Sequence, residues 1–227
     1  GTFDTKNFNV TASTLGTSGS NVRTINLGSS TVTLSNTLSA VSFSGTNFTF
    51  NAGTSLIVLS AGSTGTQLTG GGFTFYDVSF TGSSTGITAT ISGNNTYRNL
   101  SFTAPIGGIL QYLFSGNQTI TGTLTCAGAT PTRRIFLSSD TLGTTRTLTV
   151  NSLSATDCDF RDITIAGAAA GSSPTRAGDC GGNSGITFPA AKTVYWNLAG
   201  TREWSAVAWA PSSGGTPDIN NFPLAQD

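Results

Sequence analysis

One short motif occurs three times in this chain. Residues 75–82 read Phe-Tyr-Asp-Val-Ser-Phe-Thr-Gly, residues 97–104 read Tyr-Arg-Asn-Leu-Ser-Phe-Thr-Ala, and residues 160–167 read Phe-Arg-Asp-Ile-Thr-Ile-Ala-Gly. The shared pattern is aromatic, any, Asp or Asn, aliphatic, Ser or Thr, apolar, any, small. The copies start at positions 75, 97 and 160, so the first interval is one step of a common period and the second is three. Val41-Ser42-Phe43-Ser44-Gly45 reads as a fragment of a fourth copy. A period of about 21–22 residues in strand-like text predicts a solenoid, in which each coil sets its like residues on those of the coil below.

The rest of the chain carries the same signature. Short alternating runs such as Thr31-Val32-Thr33-Leu34, Leu56-Ile57-Val58-Leu59, Ile87-Thr88-Ala89-Thr90-Ile91 and Arg146-Thr147-Leu148-Thr149-Val150 predict half-buried strands, with Gly, Asn and Ser clusters between them. A sandwich of short strands would give similar local text, but nothing in a sandwich would hold one motif near a fixed multiple. The predicted class is all-β: a right-handed parallel β-helix with rungs of about 21–22 residues over 1–188.

Within the motif, Phe75, Val78 and Phe80 are read as inward. The step of three from Phe75 to Val78 breaks the alternation at Asp77, which implies a bend there. Asn99 and Asp162 take the same place in their copies. Asp and Asn tolerate left-handed backbone and bond their own main chain, so Asp77, Asn99 and Asp162 are expected to form a corner ladder.

The last stretch differs. Trp196, Trp204 and Trp209 all fall within 189–227. Lys192–Asn197 and Glu203–Trp209 are read as a hairpin joined by a loop at 198–202, a β cap or joint that covers the last rung. The tail 220–227 is read as a linker to a following module. With no Met and a Gly at position 1, the chain is expected to be a processed product or an excerpt of a longer one.

Composition narrows the chemistry. Ten basic and ten acidic residues cancel, so there is no footprint for nucleic acid, and no run of about 18 apolar residues predicts membrane insertion. The absence of His removes imidazole catalysis and His-ligated metals, and no cofactor is expected. Carboxylates alone could serve an enzyme. Asp157 and Asp159 are the pair a glycan-cleaving site would use, but beside Arg161 a solvated Asp–Arg surface is the commoner explanation, and the expectation is a non-enzyme. Asp157, Asp159 and Asp179 are the one set of oxygen ligands that could make a calcium site. Cys158 and Cys180 are separated by one predicted rung, which permits a disulfide or a pair of stacked thiols. Tyr76, Trp204 and Trp209 are the candidates for stacking on sugar rings.

Thr24–Leu34, Asp157–Ile163, Gly178–Phe188, Lys192–Asn197 and Asn221–Asp227 together resemble the Gly/Thr-rich repeats of large bacteriophage virion and tail-fibre-like proteins. The resemblance implies a β-helical structural or receptor-binding module within a longer protein, and it transfers no catalytic residue. On this reading the chain is a fibre, spike or surface module of a virion. Its partners are other virion proteins or copies of itself, with host-surface polysaccharide as a ligand. The period fits a monomer or a trimer. A bacterial cell-surface adhesin and a glycan depolymerase are the alternative readings.

Overall fold

The computed structural model describes residues 1–61, 67–82, 88–103 and 110–227. Ile87 of one predicted strand and Ala104, the last position of the second motif copy, lie outside them. Parallel sheets form a β-solenoid of about seven turns. Sheet I holds Thr2–Asp4, Arg23–Asn26 and Phe48–Asn51. Sheet II runs from Val10–Ala12 through Thr31–Leu34, Leu56–Leu59, Asp77–Phe80, Asn99–Phe102, Gln118–Ala127 and Arg146–Thr156 to Ile163–Ala166. Sheet III runs from Leu15–Thr17 through Val41–Phe43, Gln67–Thr69, Thr88–Ser92, Leu110–Phe114, Ile135–Ser139 and Cys158–Arg161 to Gly178–Asp179.

Alternation explains why these segments are strands. In Thr31–Leu34, Asp77–Phe80 and Asn99–Phe102 every second side chain is buried and the others are half-exposed. The inward residues stack from coil to coil. Phe75 and Tyr97 lie 5.5 Å apart with nearly parallel rings, and Phe102 packs 5.2 Å from Phe80 and 4.2 Å from Tyr112. The outward column of sheet II is a register of small residues: Thr11, Thr33, Val58, Ser79, Ser101, Thr125 and Ser154. Ser101 donates its hydroxyl to Ser79 at 2.9 Å. Where coils approach closest at a corner, only glycine fits. Gly53 has φ +61°, and a Cβ there would sit 2.3 Å from the Gly28 carbonyl.

The first two motif copies stack in register, with Asp77 opposite Asn99, Val78 opposite Leu100 and Phe80 opposite Phe102. Asn99 donates its amide to Asp77 at 3.0 Å and accepts the Thr123 N–H at 2.9 Å. The third copy does not join this column. Phe160 lies in sheet III opposite Leu137, while Ile163 opens a sheet II strand opposite Arg146. Asp162 therefore turns a different corner and is not part of the Asp77–Asn99 ladder. Its φ is +55°, whereas Asp77 and Asn99 begin strands and have no left-handed backbone. The physical reason is unequal coil length. Leu56 to Asp77 and Asp77 to Asn99 are steps of 21 and 22, but Ile120 to Val150 is a step of 30 and Arg146 to Ile163 a step of 17. The fragment at 41–45 also lies outside the column. Val41–Phe43 pairs within sheet III, and Leu56–Leu59 is the strand that precedes Asp77–Phe80 in register.

The predicted hairpin exists with other limits. Tyr195–Trp196 pairs antiparallel with Trp209–Ala210, and Asn197 donates to the Ala208 carbonyl at 2.8 Å. Glu203 to Ala206 instead form a turn, closed by the Ala206 N–H on the Glu203 carbonyl. The tail read as a linker folds back on the last coil. Gln226 accepts the Asp179 N–H at 3.0 Å and donates to the Ala177 carbonyl at 3.2 Å, so one side-chain amide pairs the outer edge of the final sheet III strand. Asp227 accepts from the backbone of Lys192 and of Leu224. Gln226→Ala is expected to lower stability by about 1–3 kcal/mol, read by urea unfolding, because it leaves edge groups unpaired. Gln226→Glu, which keeps the acceptor and loses the donor, should not restore the loss.

Candidate functional site

The acidic cluster is a closed ion network. Arg134 sits just before the strand Ile135–Ser139 with its side chain 5% exposed. It grips Asp159 with two bonds of 2.8 Å and also donates to the Cys158 and Arg176 carbonyls. Arg176 grips Asp157 through bonds of 2.6 and 2.7 Å, and this pairing raises the Arg176 pKa. Asp157 has φ +54°, so it turns a corner and does not share a strand face with Asp159. Asp179 accepts from Gly181 N–H and from the Asn183 amide. The calcium reading of Asp157, Asp159 and Asp179 therefore fails: two of the carboxylates are clamped by guanidinium groups and the third by its own loop. Among the described residues no group of three or more His, Cys, Asp or Glu is placed to hold a metal ion. Both carboxylates of the pair expected for a glycan-cleaving site are thus engaged in bidentate ion pairs. Arg161 lies with its guanidinium 5.3 Å from the Phe136 ring centre.

Cys158 and Cys180 are not bonded. Asp159 faces Gly178, a step of 19, so the register sets Cys158 opposite Ala177 and Cys180 opposite Arg161. Cys158 is buried and donates its thiol to the Cys126 carbonyl at 2.9 Å. Cys180 is exposed at the surface, and its pKa is pushed up to about 11 by partial burial and then by Asp159 and Asp179. Thiol labelling of the native chain at about pH 7.5 should thus be slow, limited to Cys180, and faster as pH rises toward 11. Unfolding should expose all three thiols at once.

The aromatic candidates divide. Tyr76 is half-buried, and the Arg98 guanidinium lies 4.1 Å over its ring while also donating to Asp77. One face of Tyr76 is therefore already taken. Trp209 is 7% exposed. It packs edge-on to Trp196 at 5.2 Å and to Trp204 at 4.5 Å, so most of it is core of the terminal segment, and what is left open lines the cleft beside Trp204. Trp204 is 62% exposed. It borders a cleft of about 520 Å³ with Lys192, Thr193, Val194, Leu224 and Asp227. A second concavity of about 520 Å³ opens in the first coil among Phe3, Val10, Leu15 and Ile25 and is mainly apolar.

Comparison of the chain with protein-family models, with curated proteins and with solved structures finds no match. Sequence reasoning singled out Trp204 by its residue type. It missed Arg134, Arg176 and Gln226, whose partners are brought together only by coiling.

Proposed function

We propose that this chain is a structural module of a bacteriophage particle, a rigid β-solenoid displayed at the virion surface. The observation that carries the reading is the two parallel ladders, each eight strands deep, in which every inner strand is paired on both sides. Such a rod gains stiffness from backbone pairing and needs little surface charge, in keeping with ten basic and ten acidic residues. The resemblance of Thr24–Leu34, Asp157–Ile163 and Gly178–Phe188 to virion and tail-fibre-like repeats points the same way. Its partners on this reading are other virion proteins or further copies of the chain. The clamped carboxylates favour a non-catalytic role. Immunogold electron microscopy with antibody to this segment tests the assignment. Gold on virus particles is the expected result. Gold on the bacterial envelope with bare particles would replace it with a cell-surface adhesin.

A further inference from the structure

We propose that the cleft beside Trp204 binds a pyranose ring of a surface polysaccharide, with the indole as stacking platform; this deepens the reading of the chain as a surface-displayed module. Trp204 is mostly exposed, whereas the core buries Phe75, Tyr97 and Phe102. The ring is also held in place. Trp209 packs against it and donates its indole N–H to the Trp204 carbonyl at 3.2 Å, while Trp209 rests on Trp196, whose own N–H is fixed to the Leu198 carbonyl at 2.8 Å. A pre-oriented exposed aromatic loses little conformational entropy when it takes a ligand.

The rest of the cleft specifies the kind of ligand. A pyranose has an apolar C–H face and a rim of hydroxyls, so it needs a flat apolar surface beside hydrogen-bonding groups. Val194 and Leu224 extend the apolar surface. The Lys192 ammonium spends one donor on the Asn220 carbonyl at 3.2 Å and has two more, and Thr193 adds an exposed hydroxyl. Both Asp227 oxygens are engaged by backbone N–H groups, which fixes the carboxylate at the edge of the cleft. A volume of about 520 Å³ lies within the size range of small-ligand sites, roughly 300–1,000 Å³. A nucleic-acid base would also stack on Trp204, but a chain with balanced charge lacks the basic surface that holds phosphates.

The test is affinity electrophoresis and tryptophan fluorescence of the full chain with purified capsular polysaccharides, lipopolysaccharide O-chains and peptidoglycan fragments. At least one of them should retard the protein and shift its emission. Trp204→Ala should weaken that binding about tenfold or more, equivalent to about 1.4 kcal/mol, while Trp204→Tyr keeps most of it. Trp204→Tyr keeps a ring against Trp209 and should melt with the parent chain, and the fluorescence of Trp196 and Trp209 in Trp204→Ala reports whether the segment stays folded, which separates lost binding from lost folding. Absence of binding across the panel, or binding that survives Trp204→Ala, overturns the proposal. The two assignments fail separately. Gold on particles without glycan binding removes only the cleft's role. Trp204-dependent binding with bare particles removes only the virion assignment.

Discussion

Arg134→Ala is expected to destabilise the fold by about 3–5 kcal/mol, measured by urea unfolding. Among the described residues its guanidinium is the group that neutralises Asp159 through two bonds, and it also satisfies the Cys158 and Arg176 carbonyls. Truncation leaves a largely buried carboxylate and two carbonyls without their donor. Asp157→Asn should be milder, because the amide oxygen still accepts from Arg176 and Asn tolerates the left-handed backbone at φ +54°. Arg134→Lys should recover little, since an ammonium cannot reproduce the planar fork. Replacing the pair together, Arg134→Met with Asp159→Leu, should restore only part of the stability, because it removes the unpaired buried charge but leaves the Cys158 and Arg176 carbonyls without their donor. A small effect of Arg134→Ala would mean that water reaches the network.

Phe102→Ala should have an effect of similar size, about 3–5 kcal/mol. Its ring is packed against Phe80, Tyr112 and Phe114, so truncation leaves a cavity bounded by rigid aromatics and fixed backbone ladders. Such a site collapses poorly. The contrast is Phe136→Ala in sheet III. Phe136 is only half-buried and faces outward beneath Arg161, so its loss should stay near or below about 1 kcal/mol. If the two substitutions proved equal, the inward and outward faces assigned by alternation would be wrong.

The strands and their inward faces were legible because alternation is a local property. Phe75, Val78 and Phe80, and their counterparts in the other two copies, are all buried as the pattern predicts. The stacking of Asp77 on Asn99 was legible for the same reason, since a single coil of regular length separates them. The third copy misled because coil length varies in the segments between strands, and those segments carry no periodic signal. Phe-x-Asp recurs at Asp162 as a local solution for bending a strand, wherever in the coil the bend falls. The same irregularity defeated the Cys158–Cys180 spacing, which assumes a regular rung where the last sheet III step is 19. Of the site, Trp204 stood out by its type, while the burial of Trp209 depends on Trp196 and the tail meeting at the end of the rod. Arg134 and Gln226 had no legible signal. A basic residue before an apolar strand and an amide near a tail acquire meaning only from partners 25 and 47 residues away.

Cross-linking by register tests the parallel coil most directly. Ser79 and Ser101 hold the same motif position in stacked copies, and their hydroxyls are 2.9 Å apart. The same sequence spacing carries Ser101 on to Thr123, yet the longer coil there sets Ser101 opposite Thr125. In a Cys180→Ser background, Ser79→Cys with Ser101→Cys should close an intramolecular disulfide in a glutathione redox buffer, seen as a loss of about 2 Da in the intact mass. Ser101→Cys with Thr123→Cys should keep both thiols. A bond in the second pair, or none in the first, would contradict the register on which the core stacking and the ion network depend.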